Sequence, residues 1–265
     1  MRDLAVQAEE LRARHFGDSP LVLANVWDAA SARAVAAAGH PVIATSSAAI
    51  AASLGRGDHE QMDTDDAFGV LRRIAEAVSV PVTADIEAGY GLPAAEIAQR
   101  LLDAGAVGCN LEDSDHHDEG VLLDADLQAE RIHALCESAR AAGVELVVNA
   151  RVDVYLQQTA SPHRRTEEAI RRARTYLEAG ATCVYPIGLT SQDEIALLVQ
   201  ELAAPINIWL RPDTPPLARL SQLGVARVSA AASLHRAAMG HTTAIAAAIL
   251  DGDLTGLLAD RPATG

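Results

Sequence analysis

Eight times along the chain, a short run of apolar and often β-branched residues gives way to an Ala- and Leu-rich segment whose apolar positions return at helical spacing. The short runs are Leu21 to Asn25, Pro41 to Thr45, Pro81 to Asp85, Val107 to Glu112, Glu145 to Ala150, Thr182 to Pro186, Pro205 to Trp209 and Ala226 to Ser229. Because they stay apolar instead of alternating, they predict strands of a parallel sheet covered on its outer face. The longer segments predict helices over Ala29 to Ala38, Thr64 to Val78, Pro93 to Ala104, Ala125 to Ala142, Thr166 to Ala179, Ser191 to Leu202, Pro216 to Leu223 and Ala231 to Leu250, with one more short helix before the first strand. Gly39, Gly105, Gly143, Gly180 and Gly224 each follow an Ala-rich stretch, where a helix C-cap takes a residue tolerant of positive φ. Eight such units predict a closed (β/α)8 barrel, the TIM-barrel fold, over an open doubly wound sheet of fewer strands. No linker or break in composition divides the chain, so residues 1–265 are expected to form a single domain with a polar, frayed tail over 251–265.

Composition narrows the partners. The 265 residues are 49% hydrophobic and 22% charged, a globular balance that argues against disorder. A net charge of −15 with only 3% aromatic residues excludes the basic face and stacking rings of a nucleic-acid binder. Cys109, Cys136 and Cys183 are widely spaced and form no CxxC pair, so neither a disulfide framework nor a zinc site is expected, and a reducing cytoplasm fits. The first seventeen residues mix charges into their apolar positions, unlike a signal peptide, and no apolar run reaches membrane-spanning length.

In an α/β barrel the active site sits at the C-terminal ends of the strands, which makes polar residues there candidates on physical grounds. They are numerous: Asn25, Trp27 and Asp28 after the first strand, Thr45, Ser46 and Ser47 after the second, Asp85 and Glu87 at the third, Glu112 and Asp113 at the fourth. Asn149, Arg151 and Asp153 follow the fifth, Asn207 and Arg211 the seventh, and Ser229 closes the eighth. Clustered carboxylates raise one another's pKa unless a cation sits among them, and oxygen ligands suit Mg2+ or Mn2+. Asp28 and Asp113 also read as helix N-caps. Arg151 can grip a substrate carboxylate through two parallel hydrogen bonds, with Ser46 and Ser47 on its other side; the same guanidinium can instead pair with an internal acid. The ligand class is a small anionic acid.

The segments Asn25 to Asp58, PVTADIEAGYG (Pro81 to Gly91), GAVGCNLED (Gly105 to Asp113), NARVD (Asn149 to Asp153) and GVARVS (Gly224 to Ser229) resemble the isocitrate lyase and phosphoenolpyruvate mutase superfamily. The resemblance implies that Asp85 ligates Mg2+ directly, that Glu87 and Glu112 hold its waters, and that Asp58 supports them from the second βα loop. It also implies that Ser46, the Ser47 backbone and Arg151 hold the substrate carboxylate beside Trp27; Asn207 and Ser229 are candidate substrate contacts by their place at the far strand ends. The metal's role there is to stabilise negative charge on a 2-oxo oxygen as an enolate develops.

The expected activity is that of a 2-methylisocitrate lyase-like enzyme cleaving a C–C bond in a small 2-oxo or 2-hydroxy di- or tricarboxylic acid of the 2-methylisocitrate, isocitrate or oxaloacetate type. Oxaloacetate decarboxylation, C–P chemistry on phosphonopyruvate-like acids, and a catalytically weak 2-oxo-acid-binding protein are the alternatives. Lyases of this superfamily carry a Lys-Lys-Cys-Gly-His loop after the fourth strand, but here Ser114 to Leu123 reads SDHHDEGVLL, without cysteine or lysine. His116 or His117 then becomes the candidate proton source, unless both are solvated loop residues. Cys109 reads as a buried core residue, and Val152 stands where relatives have Thr, a hydroxyl lost beside Arg151. The Ala-rich segment Ala231 to Leu250 lacks a broad charged face, and relatives exchange this last helix between subunits. A homodimer or homotetramer is therefore expected.

Overall fold

The computed structural model describes residues 3–116, 118, 120–157 and 161–256. All eight expected strand regions carry strands, and every ladder is parallel. The first region is split at Ala24 into β1 (Leu21–Leu23) and β2 (Asn25–Val26); there follow β3 (Ile43–Thr45), β4 (Val82–Asp85), β5 (Gly108–Glu112), β6 (Val147–Val152), β7 (Cys183–Pro186), β8 (Asn207–Trp209) and β9 (Arg227–Ser229). Hydrogen bonds run through β2-β3-β4-β5-β6-β7 and through β1-β9-β8. The two arcs are continuous through Ala24 at one margin, and at the other through a parallel bridge between Val184 and Ile206 with Val184 N–H donating to Pro205 O at 3.0 Å. The strand order therefore returns to its start, as the βα count predicts.

The helices are α1 (Leu4–Ala13), α2 (Ala29–Ala37), α3 (Ser47–Ser53), α4 (Thr64–Glu76), α5 (Ala94–Asp103), α6 (Ala125–Ala141), α7 (Pro162–Glu178), α8 (Gln192–Leu202), α9 (Leu217–Gln222) and α10 (Ser233–Leu250). All five C-capping glycines have positive φ, between 82° and 110°. Helix α3 was not expected from the sequence. It occupies the loop after β3, starts on the Ser46 side chain as N-cap, and is too short and too Ala-rich to show a periodicity of its own.

Residues paired in register point to the same side of a parallel sheet, so the ladders sort the barrel interior into tiers. Thr83, Gly108 and Val147 form the lowest of three tiers read from β4 to β6. A Cβ on Gly108 would come within 2.8 Å of both Leu11 Cδ2 and Val147 O, so glycine leaves the room through which Leu11 of α1 seals the N-terminal end. Asp85, Asn110 and Asn149 make the tier above, and Glu112, Arg151 and Tyr185 the tier at the mouth.

His15, just after α1, is 2% exposed in the same floor. Burial, reinforced by the charge of Arg227, pushes its pKa down from 6.5 to about 3. The unfolded chain then binds one more proton than the folded one between those values, so this contribution is complete above about pH 6.5 and is lost as pH falls toward 3. Its full size is at most roughly 5 kcal/mol. We expect the stability of the native protein to fall more steeply between pH 6.5 and 4.5 than that of His15→Gln, by an amount approaching one proton in urea titrations; equal slopes would mean that the folded protein protonates His15.

Candidate active site

Each polar group at the barrel mouth is placed by a strand end or the loop that follows it. Asp85 ends β4, where its N–H donates to Thr45 Oγ1 at 2.9 Å. Its Oδ2 accepts from both the N–H and the hydroxyl of Ser47, at 3.0 and 2.8 Å, and its Oδ1 from Asn110 Nδ2 at 3.4 Å. Ser46 caps α3 by accepting from Ala49 N–H at 3.4 Å, and its own N–H donates to Val26 O. The sequence placed these two serines on the substrate carboxylate; in the structure Ser47 is turned onto Asp85 and Ser46 onto its helix.

Glu87 has a left-handed φ of 51° and a buried side chain. Its Oε2 accepts from Glu60 N–H at 2.6 Å, while Oε1 is buried without a hydrogen-bond partner. Burial pushes its pKa up to about 8, offset in part by that N–H, with Asp58, Asp85 and Glu112 adding their negative charge. Glu60 and the neighbouring His59 are also left-handed, at φ 58° and 64°, and Glu60 accepts in turn from Tyr90 N–H. The two loops thus clasp each other through strained residues, a feature common at functional sites.

Glu112, at the end of β5, is buried and lies between Arg151 and His116. Its Oε2 pairs with Arg151 and its Oε1 lies 2.5 Å from His116 Nε2, a charge contact off the line of an aligned hydrogen bond. Burial raises its pKa, and Arg151 and His116 pull it back. The Glu112 contact in turn raises the pKa of His116 against the effect of burial. Arg151 donates from Nε to Asp153 Oδ1 at 2.7 Å and from Nη2 to Asp153 Oδ2 at 2.6 Å. Of the two roles open to Arg151 from the sequence, the internal ion pair is therefore formed. Burial opposes its charge, and Asp153 and Glu112 outweigh that effect. Arg151, Asp153, Ser114, His116, His59 and Leu156 line a cavity of about 620 Å³ that opens at the mouth.

Three expectations change. Asp113 is not a helix N-cap, the role Asp124 has at α6; it is wholly buried, accepting from Tyr176 OH at 2.7 Å, Arg172 Nη1 at 3.0 Å and Asp153 N–H at 2.9 Å. It thus fixes β6 behind the site, whereas Asp28 does cap α2, through a capping box with Ser31. Val152 is fully buried in the apolar core, and strand alternation puts it on the face opposite Arg151, so the missing hydroxyl does not border the mouth. Asn207 and Ser229 are turned onto each other, with amide–hydroxyl distances of 3.2 and 3.3 Å.

Trp27 meets His235 of α10 edge-on, with ring centroids 4.9 Å apart. Asp58 is half-buried in the loop that clasps Glu87. His117 lies outside the described residues. Cys109 is buried in the core, as expected. His59, whose ring lies 5.2 Å from that of His116, and Tyr185, buried beside Arg151, were not singled out by sequence. Neither carries a sequence signal, since one lies in an irregular loop and the other within an apolar strand.

Among the described residues no three His, Cys, Asp or Glu side chains are gathered closely enough to enclose an ion. The unpartnered Glu87 Oε1 and the weakly engaged Asp85 Oδ1 are oxygens free to meet an ion or its water. Carboxylate oxygens of this kind, completed by water, are the donors that Mg2+ takes.

A parallel barrel carries its active site at the C-terminal ends of its strands, where this chain places buried acids and an arginine. The chain belongs to the isocitrate lyase and phosphoenolpyruvate mutase superfamily: the phosphoenolpyruvate phosphomutase family model matches residues 11–250. It is similar to a crystal structure from Burkholderia cenocepacia assigned provisionally as a phosphonomutase, with 40% identity and a TM-score of 0.85 over 91% of this chain and 98% of that one. An uncharacterised protein of Mycobacterium tuberculosis is 34% identical over 90% of this chain and 88% of its own length. A 2-methylisocitrate lyase assigned in Corynebacterium glutamicum is 29% identical over 79% of this chain and 70% of its own.

Proposed function

We propose that this protein is a Mg2+-dependent lyase that cleaves a C–C bond in a small 2-oxo or 2-hydroxy di- or tricarboxylic acid of the 2-methylisocitrate, isocitrate or oxaloacetate type. One observation carries the reading: Glu87 and Glu112 are buried at the barrel mouth with the charge of Asp85 near enough to raise the pKa of both, beside a cavity that Arg151 and His116 line, so that Asp85 would ligate the ion directly and Glu87 and Glu112 would act through its waters. Bound Mg2+ supplies a positive charge that favours a developing enolate. Arg151 binds and orients the acid's carboxylate from the cavity wall, with Asp153 and Glu112 fixing the guanidinium plane. His116, whose pKa Glu112 raises, supplies a proton from Nε2 to the carbon that carries the electron pair of the broken bond.

The test is turnover of a panel of these acids with and without EDTA, read separately for glyoxylate, pyruvate, acetate, CO2 and phosphate. Metal-dependent release of a C–C cleavage product is expected. CO2 released with one equivalent of the matching 2-oxo acid, pyruvate from oxaloacetate, and no other fragment would replace the reading by decarboxylation. Thermal stabilisation by an acid plus Mg2+ without turnover would replace it by a binding protein. C–P cleavage of phosphonopyruvate is the second reading, favoured by the 40% identity to the assigned phosphonomutase.

The proton assignment separates from the metal site. Cys109→Ala is expected to leave turnover nearly intact, and His116→Ala to lower kcat by about 10²-fold, the usual worth of a general acid. A folded but inactive Cys109→Ala would overturn the assignment of the loop.

The same reading includes a homodimer or homotetramer built on α10, the helix that relatives were expected to exchange. None of its residues is buried, and Met239, Ile249 and Leu250 are 43%, 43% and 88% exposed, so α1 does not cover it. Sedimentation at micromolar concentration is expected to show more than one chain per particle. A stable single-chain mass would refute the interface.

A further inference from the structure

Beneath the site lies a charge that the proposed chemistry does not use. Arg227, the first residue of β9, has no exposed surface. Its Nη2 donates to Asn110 Oδ1 at 3.2 Å, its Nη1 lies 3.5 Å from His15 Nε2, and its Nε is buried without a partner. These partners are an amide and an imidazole, not carboxylates. A guanidinium does not release its proton in a protein, and burying one without a counter-ion is costly. An apolar side chain would fill this floor at less expense.

The hydrogen-bond chemistry shows what the charge does. Leu11 O can only accept, and it lies 2.9 Å from His15 Nδ1, so that nitrogen carries the proton and Nε2 offers its lone pair to Arg227. Arginine can only donate, so Asn110 must turn its oxygen toward Nη2. The same oxygen accepts from Asn149 Nδ2 at 2.8 Å. That leaves the Asn110 NH2 group directed at Asp85 Oδ1. Were the amide to flip, its oxygen would face the Asp85 carboxylate and its NH2 group would face the Arg227 donors, two mismatches at once. The other carboxylate oxygen is already held by Ser47, so the Asn110 contact, long at 3.4 Å, orients Oδ1 and leaves it a lone pair for an ion.

We propose that Arg227 is a positioning residue: from the barrel floor, through Asn110, it locks the orientation in which the Asp85 carboxylate meets the metal. This rests on the reading of Asp85 as a Mg2+ ligand. The order of the relay, His15 to Arg227 to Asn110 to Asp85, makes each polarity follow from the one before, and Asn149 reinforces it from β6.

Arg227→Met removes the charge and the donors while keeping much of the volume. Native and variant proteins are compared by Mn2+ affinity, from the electron paramagnetic resonance of free Mn2+, and by solvent exchange of the Asn110 side-chain amide protons in the metal-free protein, from NMR. Expected are about tenfold or greater weakening of Mn2+ binding, in the range seen when a partner of a metal ligand is removed, and clearly faster amide exchange, with the far-UV circular dichroism and melting temperature little changed. A residue that only fills the core gives the reverse: a lower melting temperature, with Mn2+ affinity and amide exchange of the folded protein unchanged, and that result overturns the proposal. Should native protein bind no Mn2+, the Mg2+ reading fails, and amide exchange alone decides the role of Arg227. If Arg227→Met does not fold, Arg227→Gln, which removes the charge, is read against the same two outcomes.

Discussion

Asp85→Ala is expected to eliminate metal-dependent turnover, a loss on the order of 10²-fold or more, the scale at which removing a preorganised charge-stabilising group acts. EDTA should reproduce the loss in native protein, and added Mg2+ or Mn2+ should restore the native enzyme but not the variant. The structure explains why no neighbour can substitute. Glu87 is committed to Glu60 N–H, and Glu112 to Arg151 and His116, so neither can move into the vacated position without breaking its own contacts. Ser47 and Asn110 would lose their acceptor in the variant, whereas the backbone N–H at position 85 still donates to Thr45 Oγ1 and keeps the strand end in place, so the variant should fold. Metal-dependent activity retained by Asp85→Ala would refute the proposed site.

Arg151→Lys is expected to weaken binding of the acid although the charge is kept. An ammonium cannot reproduce two parallel hydrogen bonds, and one bond to a charged group is worth about 1.5–3 kcal/mol, or roughly tenfold to a hundredfold in affinity. In this protein the guanidinium is also bound to Asp153 through Nε and Nη2 and paired with Glu112. Lysine would loosen that pair too, so stability and binding must be read separately, by melting temperature without ligand and by calorimetric titration with oxaloacetate and Mg2+. A lower melting temperature with unchanged affinity would make Arg151 a purely internal partner.

The fold was legible because its signals are local. Each strand announced itself as an apolar run, each helix as a periodic segment, and the five glycines that end helices all have the positive φ their position demands. The acids and the arginine of the site were legible for a related reason, since a βα unit fixes which residues fall at a strand's C-terminal end. Helix α3 was not, because seven Ala- and Ser-rich residues next to a strand carry too little periodicity. Nor was Arg227: an arginine in an apolar strand is visible in the sequence, but not that it points inward.

The sequence by itself therefore determined the eight βα units, the superfamily resemblance and the residue types brought to the mouth. Tertiary structure alone decided their pairing: Ser47 on Asp85, Arg151 on Asp153 and Glu112, Asp113 on Tyr176 and Arg172, Asn207 on Ser229. Strand alternation sets which way a side chain points, and that can be read along one chain. Which donor meets which acceptor depends on register between strands far apart in sequence and on how little water reaches the interior. There every buried polar group must find its partner among whatever the closed barrel brings near.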